Sequence, residues 1–167
     1  MRILRTITII AATLAPTAVL ANALAVPTGE VILTIEGNIA NTNGEGVAVF
    51  DLAMLDALPQ RTTTTETPWY DDAQSFSGPV IQSLLEAIGA QGTTVTVRAL
   101  NDYSAEIPIE DLQANPVILA SRLNGDVLSV RDKGPLFVVY PFDLDPSLYN
   151  EVYFGRSVWQ VVSVTVN

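Results

Sequence analysis

VILASRLNGDVLSVRDKGPLFVVYPFD, residues 117–143, decides the fold. Asn124-Gly125 between two short apolar runs is the strongest short-range signal of a hairpin. Gly134-Pro135 then stops the chain, and Leu136–Tyr140 forms an apolar run short enough for a buried strand. Strand, tight turn, strand, break and buried strand in so short a segment is not the grammar of a βαβ chain.

Upstream, VILTIEGNI (31–39) alternates as a strand does, and the Gly- and Asn-rich GNIANTNGEG reads as a turn or hairpin loop. Asp51 is placed to cap a short helix carrying Leu52, Leu55 and Leu58, stopped by Pro59. Four β-branched threonines, Thr62–Thr65, favour extended chain. SGPVIQSLLEAIGAQG (77–92) reads as the clearest helix. Pro79 suits its first position, Ser77 or Gly78 its cap and Gly89 its stop, with Val80, Ile81, Leu84, Leu85 and Ile88 on one face. TTVTVRAL is a strand, EIPIEDLQANP a strand end and one helical turn, and SVWQVVSVTV a closing strand. Many short strands with one or two helices make the fold class α+β.

The N-terminal segment, 1–25, reads differently. Arg2 and Arg5 precede the apolar run ITIIAATLAPTAVLA, and Ala21, Ala23 and Ala25 follow, which is the pattern of a secretory signal peptide cleaved after Ala23 or Ala25. The remainder, 26–167, is then one domain, soluble, exported and periplasmic, with no later apolar run long enough to span a bilayer. Without Arg2 and Arg5, six basic residues face eighteen acidic ones, a net charge of −12 that repels nucleic acid and anionic membranes. The chain has no cysteine and no histidine. That excludes disulfides, thiolate ligands, cysteine nucleophiles, Ser-His-Asp triads and the usual zinc sites. Neighbouring acids such as Asp71-Asp72, Glu110-Asp111 and Asp143/Asp145 lie in turns or helix starts, without the cross-cleft placement glycoside hydrolysis needs.

Four places could carry a ligand. With period two, Trp159 shares the more polar strand face with Ser157, Val161, Ser163 and Thr165; it is either a cross-strand anchor or a platform for a flat ligand. Asn101-Asp102-Tyr103 is either an Asx turn or a hydrogen-bonding edge for a heterocycle. Arg131 and Lys133 end a hairpin or meet an anion or carbonyl at a pocket mouth. Trp69-Tyr70 covers a ligand or packs on its loop.

The order of these pieces is similar to a known pattern. WYDDAQSFSGPVIQSLLEAIGA, RALNDYSAEIPIEDL, VILASRLNGDVLSVRDKGPLFVVYPFD and FGRSVWQVVSVTV, over residues 66–166, together resemble the molybdopterin-binding domain of the sulfite oxidase superfamily. The resemblance implies that fold, of mostly short strands with a few helices. The superfamily's enzymes bind molybdenum through a cysteine thiolate, which this chain lacks, and RTTTTETP is where that ligand would stand. The chain looks more like short exported members that bind a reduced, unconjugated pterin without metal. Those members regulate a membrane-bound enzyme of cyclic-di-GMP turnover from the periplasmic side. The implied partners are a pterin and the periplasmic part of a membrane-bound signalling protein. The implied site is Trp159, Arg156, Asn101, Asp102 and Tyr103, with Arg122 and Arg131. Trp159 would stack on the ring, Asp102 would accept from its amino and ring N–H groups, and Arg156 or Arg131 would meet the carbonyl. The rival expectations are a molybdopterin-dependent oxidoreductase with other ligands, and an interaction module that has lost its pocket.

Overall fold

The computed structural model describes residues 24–167; the segment read as a signal peptide, 1–25, lies outside the described residues apart from Leu24 and Ala25. In chain order the elements are β1 (Val31–Gly37), β2 (Ala48–Asp51), α1 (Leu52–Asp56), β3 (Gln60–Thr65) and β4 (Gln74–Pro79). Then come α2 (Ile81–Ala87), β5 (Thr94–Ala99), β6 (Ser104–Pro108) and α3 (Ile109–Ala114). The chain continues with β7 (Ile118–Ala120), β8 (Arg122–Leu123), β9 (Asp126–Val127) and β10 (Phe137–Val139), and ends with α4 (Glu151–Arg156) and β11 (Val161–Val166). A five-stranded sheet in the order β2-β1-β11-β5-β6, a four-stranded sheet β3-β4-β8-β9 and the pair β10-β7 make an α+β fold. β1 and β11 run parallel, and the other neighbours are antiparallel.

The inner face of the large sheet supplies Leu33, Ile35, Val95, Val97 and Ile107, which are buried with Leu84 and Leu85 of α2 and Leu112 of α3. A smaller core gathers Phe76, Ile118, Leu128 and Phe137, with Trp69 and Tyr70 packed on its flank. The loop residues Asn124 and Gly125 both take a left-handed, positive φ. A two-residue hairpin loop of type I′, which matches the right-handed twist of its strands, requires this of both central residues. Asp51 caps α1, accepting from Met54 N–H at 2.8 Å, and also accepts from Thr28 and Gly29 N–H at 2.8 Å each. These bonds, that of Met54 first, hold its carboxyl below the ordinary value of 3.8. A depressed folded value gives stability that is complete above the unfolded value and is lost as pH falls through the folded one. In thermal melts, Asp51→Asn is therefore expected to be less stable than the parent at pH 7, with the gap narrowing as the pH falls below the ordinary carboxylate range. A gap independent of pH would contradict this role.

Two sequence expectations are corrected. Ser77, Gly78 and Pro79 do not open the helix but lie in β4, paired with β3 and, at Ser77, with β8. The reason is tertiary: a Cβ on Gly78 would stand 2.2 Å from the Leu119 carbonyl oxygen, so this glycine lets two strands pass in contact. The helix starts only at Ile81. The last strand is also shorter than its pattern. Gln160 has φ of 56°, and a register shift between Val161 and Ser163 puts Val161 and Val164 both in the core. Trp159 therefore precedes β11 and bridges to Phe137 instead.

Candidate functional site

A cavity of about 230 Å³ opens where the end of β5, the loop before β4 and the end of α4 meet. Its walls are Trp69, Ala99, Asn101, Tyr103, Phe154, Ser157 and Trp159. Asn101 Oδ1 accepts from Tyr103 N–H at 3.1 Å, and Asp102 takes a left-handed φ of 67° between them. The stretch is thus an Asx turn, and the same turn presents Asn101 and Tyr103 to the cavity. It is tied to the residue before β11 by Leu100 N–H on the Gln160 carbonyl at 2.9 Å. Tyr103 donates to the Gly155 carbonyl at 2.8 Å, which links the turn to α4. The buried Ser157 hydroxyl donates to the Tyr153 carbonyl at 2.8 Å. Toward the cavity it therefore offers an acceptor.

The aromatic wall comes from three distant segments. Trp69 meets Phe137 edge-on with centroids 5.3 Å apart and Phe154 at 6.0 Å. Trp159 is 36% exposed, placing it at the rim. Tyr70 turns the other way, against Phe76, with Lys133 Nζ 4.3 Å over its ring. Sequence reasoning treats Trp69 only as half of a pair and misses Phe154, because α4 is not separable from the strand that follows it. The available signal is Asn150, whose side chain accepts from Val152 N–H as a helix cap.

The structure places the remaining charged residues away from the cavity wall. Asp102 points to solvent and pairs with Arg98, with its side chain 78% exposed. Arg156 pairs with Asp111 at 3.0 Å, and Asp111 also accepts from the buried Tyr140 hydroxyl at 2.9 Å. Burial first, then Asp111, pushes the Tyr140 phenol far above its ordinary value. Arg122 makes two bonds to Asp56, at 2.6 and 2.7 Å. Arg131 lies exposed in a turn at Val130–Asp132. Asp102, Arg156, Arg131 and Arg122 are therefore not on the wall that Asn101, Tyr103 and Trp159 share, because each of the three paired ones has a carboxylate or guanidinium partner elsewhere.

The cavity wall is neutral: aromatic faces, one amide, one phenol and one hydroxyl. It suits a flat, uncharged heterocycle with hydrogen-bonding edges. It does not suit a phosphate, since no cation lines it. Among the described residues no group of His, Cys, Asp or Glu could hold a metal, and the chain has no thiolate. A molybdenum centre ligated through cysteine, with a phosphate tail to anchor, does not fit these donors.

The fold is that of a molybdopterin-binding domain. Residues 56–144 match the family model described as "oxidoreductase molybdopterin binding domain", and the chain belongs to that family. No curated protein sequence matches the chain. Among solved structures it is similar to the sulfane dehydrogenase SoxCD from Paracoccus pantotrophus, with a TM-score of 0.60 and 20% identity. The likeness covers 80% of this chain but only 37% of the SoxCD chain, and it is a likeness of fold.

Proposed function

We propose that the protein binds a reduced, unconjugated pterin without molybdenum. On this reading it works in the periplasm as a ligand-sensing regulator of a membrane-bound enzyme of cyclic-di-GMP turnover. The observation that carries the binding reading is the neutral cavity between Trp69, Phe154 and Trp159, edged by Asn101 and Tyr103, in a fold whose family binds a pterin cofactor. Trp159 would stack on the bicycle, Asn101 would complement its amide edge, and Tyr103 would accept from an N–H. The family match also favours the rival reading of a molybdopterin-dependent oxidoreductase; the absence of cysteine from the sequence speaks against its usual metal ligation.

The chain's two tryptophans, Trp69 and Trp159, both line this cavity, so intrinsic tryptophan fluorescence reports on it alone. Dihydrobiopterin is expected to quench that fluorescence saturably, with a Kd well below ~1 mM, the level at which binding is worth only about 4 kcal/mol. No saturable change up to that concentration would contradict the reading.

A further inference from the structure

A second, larger concavity of about 650 Å³ lies between the end of β3 and the segment that leads into α4. Phe142, Pro146 and Tyr149 line it with Thr65, Glu66 and Asp143. Asp143 is occupied by Arg61 at 3.0 Å and by the Thr63 hydroxyl. Glu66 has no ion-pair partner among the described residues, nor do Asp145 and Glu151, which flank Pro146 and Tyr149 in the chain. Asp145 is held ionised by the Ser147 hydroxyl and N–H, which lower its carboxyl below the ordinary value. Segment 143–152 holds no Lys or Arg and exposes Leu144, Tyr149 and Val152. Apolar anchors beside carboxylates without partners match one kind of surface: apolar residues interspersed with Lys or Arg.

We propose that this groove docks an extended segment of a partner protein that carries Lys or Arg between apolar residues, and that α4 reports to it whether the small cavity is filled. The second half rests on the pterin-binding reading. Phe154 is the shared wall. It lines the small cavity, while its ring meets Tyr149 at 4.8 Å and Phe142 at 5.8 Å, and both of those line the groove. Tyr103, also on the cavity wall, holds α4 through the Gly155 carbonyl. A ligand that displaces Phe154 or takes over the Tyr103 hydroxyl changes the position of α4, and with it Tyr149. The coupling must be reciprocal: what the ligand does to docking, docking does to ligand affinity by the same factor.

The test uses an acetylated, amidated Lys-Leu-Lys-Leu-Arg peptide as probe on the exported chain, followed by amide NMR. Shifts are expected to concentrate at Glu66 and over 142–152. Affinity should fall with salt, and should fall up to roughly fivefold for each of Glu66→Gln and Glu151→Gln. Tyr149→Ala should abolish the localised shifts. Saturating dihydrobiopterin should change peptide affinity at least about fivefold. Shifts that are absent, or spread over the whole acidic surface and indifferent to Tyr149→Ala, overturn the docking site. Peptide affinity unchanged by dihydrobiopterin, while tryptophan quenching shows the cavity full, overturns the coupling and leaves pterin binding standing. No quenching at all overturns pterin binding and the coupling that rests on it, while the peptide shifts still decide the groove.

Discussion

Asp111→Ala is expected to lower the free energy of unfolding by about 3 kcal/mol, from the loss of a shared, mostly buried acceptor. Its carboxylate sits 14% exposed and accepts from both the Arg156 guanidinium and the Tyr140 hydroxyl. Tyr140 is fully buried. Removing its acceptor leaves a donor that water cannot reach, a cost of about 1–3 kcal/mol. Arg156 keeps its charge with no carboxylate beside it. Breaking a fully buried pair costs about 3–5 kcal/mol. At 24% exposure Arg156 belongs below that range. The two effects share one carboxylate and do not add. Asp111→Asn keeps an acceptor for Tyr140 and should recover about half the loss. Urea unfolding with an unchanged m-value measures this directly. A loss under about 1 kcal/mol for the alanine variant, the net worth of one ordinary hydrogen bond, would mean the triad is ornamental to stability. Because Arg156 closes α4, the same variant should also weaken ligand binding through Phe154 and Ser157.

Trp159→Ala is expected to weaken dihydrobiopterin binding by about 1–3 kcal/mol, the worth of one aromatic stacked on a planar base. At ~1.4 kcal/mol per decade this is roughly 5- to 150-fold. The structure separates this from unfolding. Trp159 lies at the rim, and its backbone bridge to Phe137 survives truncation. The midpoint in urea should move little, and Trp159→Phe, which keeps a π face, should recover part of the affinity. Trp69 then reports alone by fluorescence. Affinity unchanged in a folded Trp159→Ala would move the stacking role to Trp69, which is held edge-on between Phe137 and Phe154.

What the sequence made legible was local chemistry. Asn124-Gly125 specifies its own turn, and Asp51 caps the helix that begins at the next position. The Asn101-Asp102-Tyr103 turn is likewise visible as a turn. What stays hidden depends on partners far along the chain. Gly78 looks like a helix cap until Leu119 is placed against it. Asp111 looks like ordinary compensation of a helix dipole, and only the fold brings Arg156, 45 residues away, to its side. Asp102 and Arg156 carry the right charges for a pterin edge, yet each finds an oppositely charged partner off the cavity wall. Period two runs Trp159 into the strand because nothing local marks the left-handed Gln160. The family resemblance reaches further than the motifs because it carries the order of the elements as well as their local patterns.

The most direct measurement is on protein purified from its native cells. The sample is denatured, the released small molecules are identified by mass spectrometry, and molybdenum is quantified in the same sample. A reduced, unconjugated pterin in near-stoichiometric amount and no molybdenum are expected. A pterin phosphate with stoichiometric molybdenum would contradict this, and would mean that oxygen or nitrogen donors of this chain replace the thiolate.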